Sequence, residues 1–318
     1  MLQSSKPPVI FLLGPTASGK TDWAIAWQKL FNRIEIISVD SVMVYQGCDI
    51  GSAKPSKEIL VQHPHHLIDA VGLDQIFSVA DFYEAAHQLI KDIHSRENVP
   101  LFVGGSMMYF NILKKGINPL PPADSNLRSK LEIRIQNEGI TALHDELSIL
   151  NKEIAISIQP QDTQRIIRAL EIIYHSAGSS QRKNAETNRM SLSDKYDLYE
   201  YGIFPKDRSL LHSRIEARQH ELISGGLLQE VQGLNKKYDL SPDHPAMKAV
   251  NYRQALQVIN GELSADDLFE RSLYATRQLA KRQFTWMRSW EYLHAFDIHE
   301  FKKATTHLKK HLNFILTL

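Results

Sequence analysis

Eight consecutive residues carry the first recognisable chemistry: Gly14, Pro15, Thr16, Ala17, Ser18, Gly19, Lys20 and Thr21 match G-x-x-x-x-G-K-[ST]. In such a loop the glycines let backbone N–H groups turn inward around phosphate oxygens, and the N-terminus of the next helix adds partial positive charge. Lys20 supplies a full charge, and the Thr21 hydroxyl can ligate Mg²⁺. The apolar run Pro8–Leu13 precedes the loop and a helical stretch follows it, the setting the motif requires. A diphosphate or triphosphate is expected here, with Mg²⁺ as its companion ion.

The other parts of a nucleotide hydrolase are missing. No N-K-x-D is present, and Asn98–Val103 ends in Gly104-Gly105-Ser106 where a Walker B aspartate would stand. The acid at a strand end is Asp40, in Ile37-Ser38-Val39-Asp40-Ser41. At the carboxyl edge of the second strand it should face the cleft beside the phosphate loop. There it could take up a proton, cap a helix or support Mg²⁺ indirectly. The same parts would serve a kinase of a nucleotide or small metabolite, although the missing strand-end acid argues against one. His63, His65 and His66 crowd one segment, but Pro64 divides them and neither H-E-x-x-H nor a cysteine partner accompanies them. They read as structural, and no zinc is expected.

These residues need elements to position them. The apolar runs Pro8–Leu13, Ile34–Val39, His66–Ile68 and Val99–Val103 alternate with helical stretches at Thr21–Leu30 and Val79–Ser95. That alternation predicts an α/β fold, a doubly wound parallel sheet of the P-loop type. From about Asn118 the texture changes. Pro119, Pro121 and Pro122 form a breaker, and helices are predicted at Asp124–Asn137, Ile140–Leu150 and Asp162–His175 without a strand. Ser176–Asp194 reads as a loop, Leu198–Phe204 as a strand returning to the sheet, and Ser209–Lys237 and Asp266–Trp290 as long helices. The expected division is a core at 1–118, an inserted all-helical domain at 119–197, and the rest of the core with basic C-terminal helices at 198–318. Ile298–Leu318 acquires no role.

Composition narrows the classes further. The chain has 318 residues, is 43% hydrophobic and carries a formal net charge of +1, which excludes a disordered chain and a globally basic nucleic-acid binder. Its single cysteine, Cys48, cannot form an internal disulfide, so a cytoplasmic location is the default. No apolar run approaches the ~18 residues of a membrane span. The average charge hides an asymmetry. Residues 271–318 hold nine Lys and Arg against three acids, enough for a local basic surface.

Seven blocks, in order, resemble bacterial tRNA dimethylallyltransferases: Gly14–Thr21, Ile37–Ser41, Asp49–Pro55, Pro64–Leu67, Val103–Tyr109, Arg168–Glu171 and Ala275–Gln283. The resemblance runs from about residue 8 to 290. It implies transfer of a dimethylallyl group from dimethylallyl diphosphate to N6 of adenosine 37 in tRNAs reading codons that start with U. It also implies a monomer that acts on the tRNA anticodon stem-loop. The phosphate loop would then hold the diphosphate of the prenyl donor. Asp40 would be the base, Lys20, Thr21 with Mg²⁺ and Arg218 would meet the diphosphate, and Ser106 would stand where the family typically has threonine. Asn251 departs similarly, since the family usually shows glycine there; asparagine tolerates a positive φ well.

A base in a stacked anticodon loop must be flipped out to reach a buried cleft. The residues matched to tRNA contact are Asp40, Ser41, Val42 and Met43; Ser106 and Arg128; Gln164, Arg165, Ile166, Ile167 and Arg168; Lys248, Ala249, Val250, Asn251, Tyr252 and Arg253; and Lys281, Arg282, Gln283, Phe284, Thr285, Trp286, Met287 and Arg288. Phe284 and Trp286 could stack on bases, or be core. Two other readings stay open: prenyl transfer to free adenine nucleotide, and RNA binding without activity. The insertion and the basic block favour tRNA over the first, and the intact phosphate loop disfavours the second.

Overall fold

The computed structural model describes residues 6–117, 121, 124–177 and 191–312. The chain divides into two compact units, Met1–Gly116 with Met190–Leu318, and Ile117–Arg189.

The first unit begins β1 (Pro8–Leu13), α1 (Lys20–Leu30), β2 (Ile34–Val39), α2 (Lys57–Gln62), β3 (His65–His66), α3 (Val79–Ser95), β4 (Val99–Gly104) and α4 (Met107–Lys115). The second unit holds α5 (Ser125–Glu138), α6 (Ile140–Leu150), α7 (Lys152–Ser157) and α8 (Thr163–Ala177). The first then resumes with α9 (Leu192–Lys195), β5 (Asp197–Ile203), α10 (Arg208–Ser224), α11 (Leu227–Tyr238), α12 (Tyr252–Ile259), α13 (Leu268–Arg288), β6 (His294–Phe296) and α14 (Phe301–Leu312).

The strands form the expected parallel sheet, in the order β3-β2-β4-β1-β5-β6. Side chains alternate along a strand. Ile10 and Leu12 therefore pack with Trp23, Trp27 and Leu308 on one face, and Val9, Phe11 and Leu13 with Phe82, Ile90 and Phe110 on the other. Because helices cover both faces, the central strand β1 is apolar and buried throughout. From β1 the chain crosses β4's position to reach β2, and later passes from β4 to β5 on the far side of β1. The carboxyl ends of β1, β2 and β4 thus flank a topological switch point, where such sheets bind ligands.

Several elements differ from expectation. Ser209–Lys237 is two helices, because Gly225 and Gly226 break it; Gly226 takes φ 99, open to glycine. The third strand is only His65–His66, since Leu67 and Asp69 adopt positive φ and turn the chain away. β6, too short to show as an apolar run, extends the sheet edge beside β5. Ile298 and α14 also acquire a structural role. Ala304, Leu308 and Leu312 are buried against the sheet, and Thr305 Oγ1 accepts the Trp27 indole N–H at 2.9 Å. Pro119, Pro122 and most of the expected 176–194 loop lie outside the described residues.

The helical unit has its own core of Leu131, Leu143, Leu147, Ile166, Ile167 and Leu170. Asp162 accepts the Arg165 backbone N–H at 3.2 Å at the start of α8, as an N-terminal cap should.

Candidate active site

Three strand ends deliver the site. After β1 the chain turns through Ala17 at φ 61 and Gly19 at φ 87, a left-handed path that directs backbone N–H groups inward. A Cβ on Gly14 would lie 2.7 Å from Ser18 Oγ and 3.0 Å from Lys20 Cγ, so a side chain here would displace one of them. Gln283 braces it from α13: its Oε1 accepts the Thr16 N–H at 2.9 Å, and its Nε2 donates to the Gly105 carbonyl at 3.0 Å. Lys20 Nζ donates to the Pro15 carbonyl at 2.8 Å. Burial, with Arg218 adding repulsion, pulls the Lys20 ammonium down to about 7 despite the favourable pull of Asp40. Burial also lowers the Arg218 pKa from the ordinary guanidinium range. Neither cation has an ion-pair partner among the described residues, so the pair is poised for an anionic ligand.

Asp40 follows β2. Its Oδ1 accepts the backbone N–H groups of Val42 at 2.8 Å and Met43 at 3.1 Å, closing a turn. Its other oxygen accepts no hydrogen bond among the described residues, so capping and proton transfer can use different atoms. The end of β4 also explains the missing strand-end acid. A Cβ on Gly104 would lie 2.0 Å from the Val39 carbonyl oxygen, leaving room for no side chain. Ser106 donates its backbone N–H to that same carbonyl at 3.3 Å.

These residues converge on a cavity of about 510 Å³. Its lining takes Thr16, Ala17, Lys20 and Thr21 from the phosphate loop, Asp40 to Met43 from the second strand end, and Ser106 from the third. Arg218, Ala249, Val250, Asn251, Tyr252, Arg282, Gln283 and Trp286 complete the expected set. Gly14, Pro15, Ser18 and Gly19 shape the loop without lining the cavity, and Lys248, Arg253, Lys281, Thr285 and Arg288 are exposed outside its lining. Asn251 does adopt the positive φ, 74°, and its Nδ2 donates to the Gly51 carbonyl at 2.8 Å.

Two features of α13 correct the expected RNA-contact block. Phe284 and Met287 are buried, and Phe284 packs edge-on against Phe204 with centroids 5.0 Å apart. An α-helix presents such neighbours to different sides, so one run cannot face RNA at every position. Trp286 lies on the other side, 40% exposed at the cavity wall.

In the helical unit Gln164 and Arg165 are exposed, whereas Ile166 and Ile167 are core and present no side chain to RNA. Arg128 and Arg168 are not free basic groups either. Both bind the fully buried carboxylate of Glu171, at 3.0 Å and 2.5 Å, and Arg168 also donates to the Pro121 carbonyl. Burial opposes that charge, but hydrogen bonds from both arginines and the Asp124 N–H hold Glu171 down at about 2.

Other cavity residues escaped sequence reasoning. Gln219 lines the wall with Ile215, Arg218 and Leu222, a spacing that marks one face of α10. Gly51, Ser52, Ala53 and Pro55 line it too, from a block that carried resemblance but no assigned role. Below them Lys54 Nζ binds Asp49 and Asp69, each at 2.6 Å. The three crowded histidines have separate partners: His63 meets Gln28, His65 the His63 carbonyl and His66 Glu35.

The family model for IPP transferase matches residues 43–290. The chain is 31% identical to the full-length tRNA isopentenylpyrophosphate transferase of Bacillus halodurans, covering 98% of both chains with a TM-score of 0.70. It is 32% identical to the tRNA delta(2)-isopentenylpyrophosphate transferase of Staphylococcus epidermidis, covering 96% of this chain and 99% of that one at a TM-score of 0.66. A eukaryotic dimethylallyltransferase acting on tRNA shares the fold, at 24% identity over 95% of this chain and 78% of that one with a TM-score of 0.74. On a family match that reaches from the second strand end to the close of α13, and on bacterial relatives similar over nearly their whole lengths, the chain belongs to the IPP transferase family.

Proposed function

We propose that the chain transfers a dimethylallyl group from dimethylallyl diphosphate to N6 of adenosine 37 in tRNAs reading codons that start with U. The products are N6-dimethylallyladenosine and diphosphate. The observation that carries this reading is one cavity joining two cations without ion-pair partners among the described residues, Lys20 and Arg218, to the unbonded carboxylate oxygen of Asp40. The bacterial relatives, described as tRNA isopentenylpyrophosphate transferases, support prenyl transfer to tRNA.

The adenine amino group is a poor nucleophile, because its lone pair is delocalised into the ring. As the N6–C1 bond forms, the C1–O bond breaks and its electron pair leaves with the diphosphate. The N6 proton passes to the unbonded oxygen of Asp40. Lys20, Arg218 and the phosphate-loop N–H groups stabilise the negative charge that grows on the leaving group. The Thr21 hydroxyl lines the cavity beside Lys20 and makes no hydrogen bond among the described residues, so it fits a Mg²⁺ ligand. When bound, Mg²⁺ would add positive charge at the diphosphate oxygens.

Arg282 and Trp286 stand on the cavity wall to meet phosphate and base, and Gln164 and Arg165 offer exposed contacts from the helical unit. No helix among the described residues is long and apolar enough to cross a membrane. The test is stoichiometry. With dimethylallyl diphosphate, Mg²⁺ and unmodified tRNA, one diphosphate should appear per tRNA modified with no ATP consumed; ATP turnover without prenyl transfer would replace this reading with a kinase.

A further inference from the structure

Glu230 stands on α11, outside the cavity lining and outside every block that carried the family resemblance. Its Oε2 accepts the backbone N–H groups of Asp49 at 3.1 Å and Ile50 at 2.6 Å. Its Oε1 accepts the Gly51 N–H at 3.1 Å and the Tyr252 hydroxyl at 2.6 Å. Three consecutive N–H groups converging on a carboxylate form an anion-binding nest, and here the anion is the protein's own side chain.

Gly51 is the centre of this arrangement. Glu230 holds its N–H, Asn251 Nδ2 holds its carbonyl at 2.8 Å, and a Cβ at this position would fall 2.6 Å from the Tyr252 ring. Gly51, Ser52, Asn251 and Tyr252 all line the cavity. Two chain segments 200 positions apart therefore make one wall, joined by Glu230 from behind.

We propose that Glu230 is a positioning residue for the nucleotide-accepting wall of the cavity: it locks the 49–55 loop to Tyr252, so that the wall meets the flipped adenosine in one geometry. The proposal rests on the tRNA prenyl-transfer reading. Glu230 makes no hydrogen bond to the phosphate loop, Lys20 or Arg218, and its negative charge is unsuited to a diphosphate. Its influence belongs to the acceptor side. Each oxygen serves two donors, so the neutral, isosteric substitution Glu230→Gln would set an NH₂ group against the Asp49 and Ile50 N–H groups or against the Gly51 N–H, and lose one or two of the nest's three bonds.

The experiment compares wild type with Glu230→Gln in steady-state dimethylallyl transfer and in amide hydrogen exchange of the folded proteins. The substitution should raise KM for tRNA by about tenfold, leave kcat and KM for dimethylallyl diphosphate within about twofold, and speed exchange at Asp49, Ile50 and Gly51. Tyr252→Phe, which removes one of the four bonds, should raise KM for tRNA by about threefold and serves if Glu230→Gln does not fold. Unchanged KM for tRNA in a folded variant, or a fall in kcat alone, would overturn the positioning role while the wild type still modifies tRNA. A wild type that transfers no dimethylallyl group to tRNA would overturn the functional reading, and this proposal with it.

Discussion

Gln283 Oε1 receives the Thr16 backbone N–H at 2.9 Å, which ties the helix bearing the basic block directly to the phosphate loop. The same carboxamide donates to the Gly105 carbonyl at the end of β4. Gln283→Ala would remove both hydrogen bonds from this half-buried site, at about 0.5–1.5 kcal/mol each. It should lower kcat/KM for dimethylallyl diphosphate by about 10- to 100-fold, measured by initial rates beside a thermal unfolding curve. Unaltered kcat/KM would show that the loop holds its shape without this brace.

Asp40 has two separable duties. Asp40→Asn keeps the oxygen that accepts the Val42 and Met43 N–H groups, but replaces the base with an amide. It should reduce kcat by about 10²–10⁴ with tRNA affinity little changed. Asp40→Ala would remove the turn as well, and should lose additional tRNA affinity by loosening Val42 and Met43. Equal loss of tRNA binding in Asp40→Asn would contradict a proton-accepting role.

Lys20 makes diphosphate affinity depend on pH. In the empty site its pKa is about 7, and a bound diphosphate favours the ammonium, raising that value. Below pH 7 the lysine is already charged and affinity is flat with respect to this group. As pH rises above 7 the empty lysine loses its proton, so binding must take one up and affinity falls, by up to about tenfold per pH unit. Calorimetry with inorganic diphosphate in buffers of different ionisation heat should show proton uptake linked to Lys20 at pH 8 and little at pH 6, and Lys20→Met should abolish that difference. Uptake that is identical in the variant would contradict the assignment.

Arg165 and Arg168 should behave differently although three residues apart. Arg165 is exposed and, among the described residues, paired only to Asp162 at 3.4 Å, whereas Arg168 neutralises buried Glu171. Arg165→Ala should lower the salt dependence of tRNA binding by about one unit of slope and leave unfolding unchanged. Arg168→Ala should instead destabilise the helical unit, by about 1–3 kcal/mol, because Arg128 and the Asp124 N–H still hold Glu171. An unchanged slope for Arg165→Ala would make it a solvated surface charge.

The phosphate loop was legible because its chemistry is local: glycines, lysine and threonine stand within eight residues beside an apolar run. Asp40 was legible for a related reason, since strand ends in a doubly wound sheet point to the same edge. What escaped were the partners brought together across the chain. Gln283 reaches Thr16 over 267 positions, and Glu230 reaches Gly51 over 179. Hydrogen bonds of that span leave no period in a sequence. Arg128 and Arg168 resembled available RNA contacts because one buried acid, Glu171, absorbs both. The paired glycines at 225 and 226 did carry a breaking signal, but apolar residues on both sides continued the pattern of one long helix.

Prenyl transfer to adenosine 37 is decided by mass spectrometry of nucleosides from unmodified tRNA with adenosine at position 36, incubated with the enzyme, dimethylallyl diphosphate and Mg²⁺. One dimethylallyl group should appear on N6 of adenosine 37, and none when that base is replaced. No modification of this tRNA, with transfer instead to free adenosine monophosphate, would contradict tRNA as the acceptor.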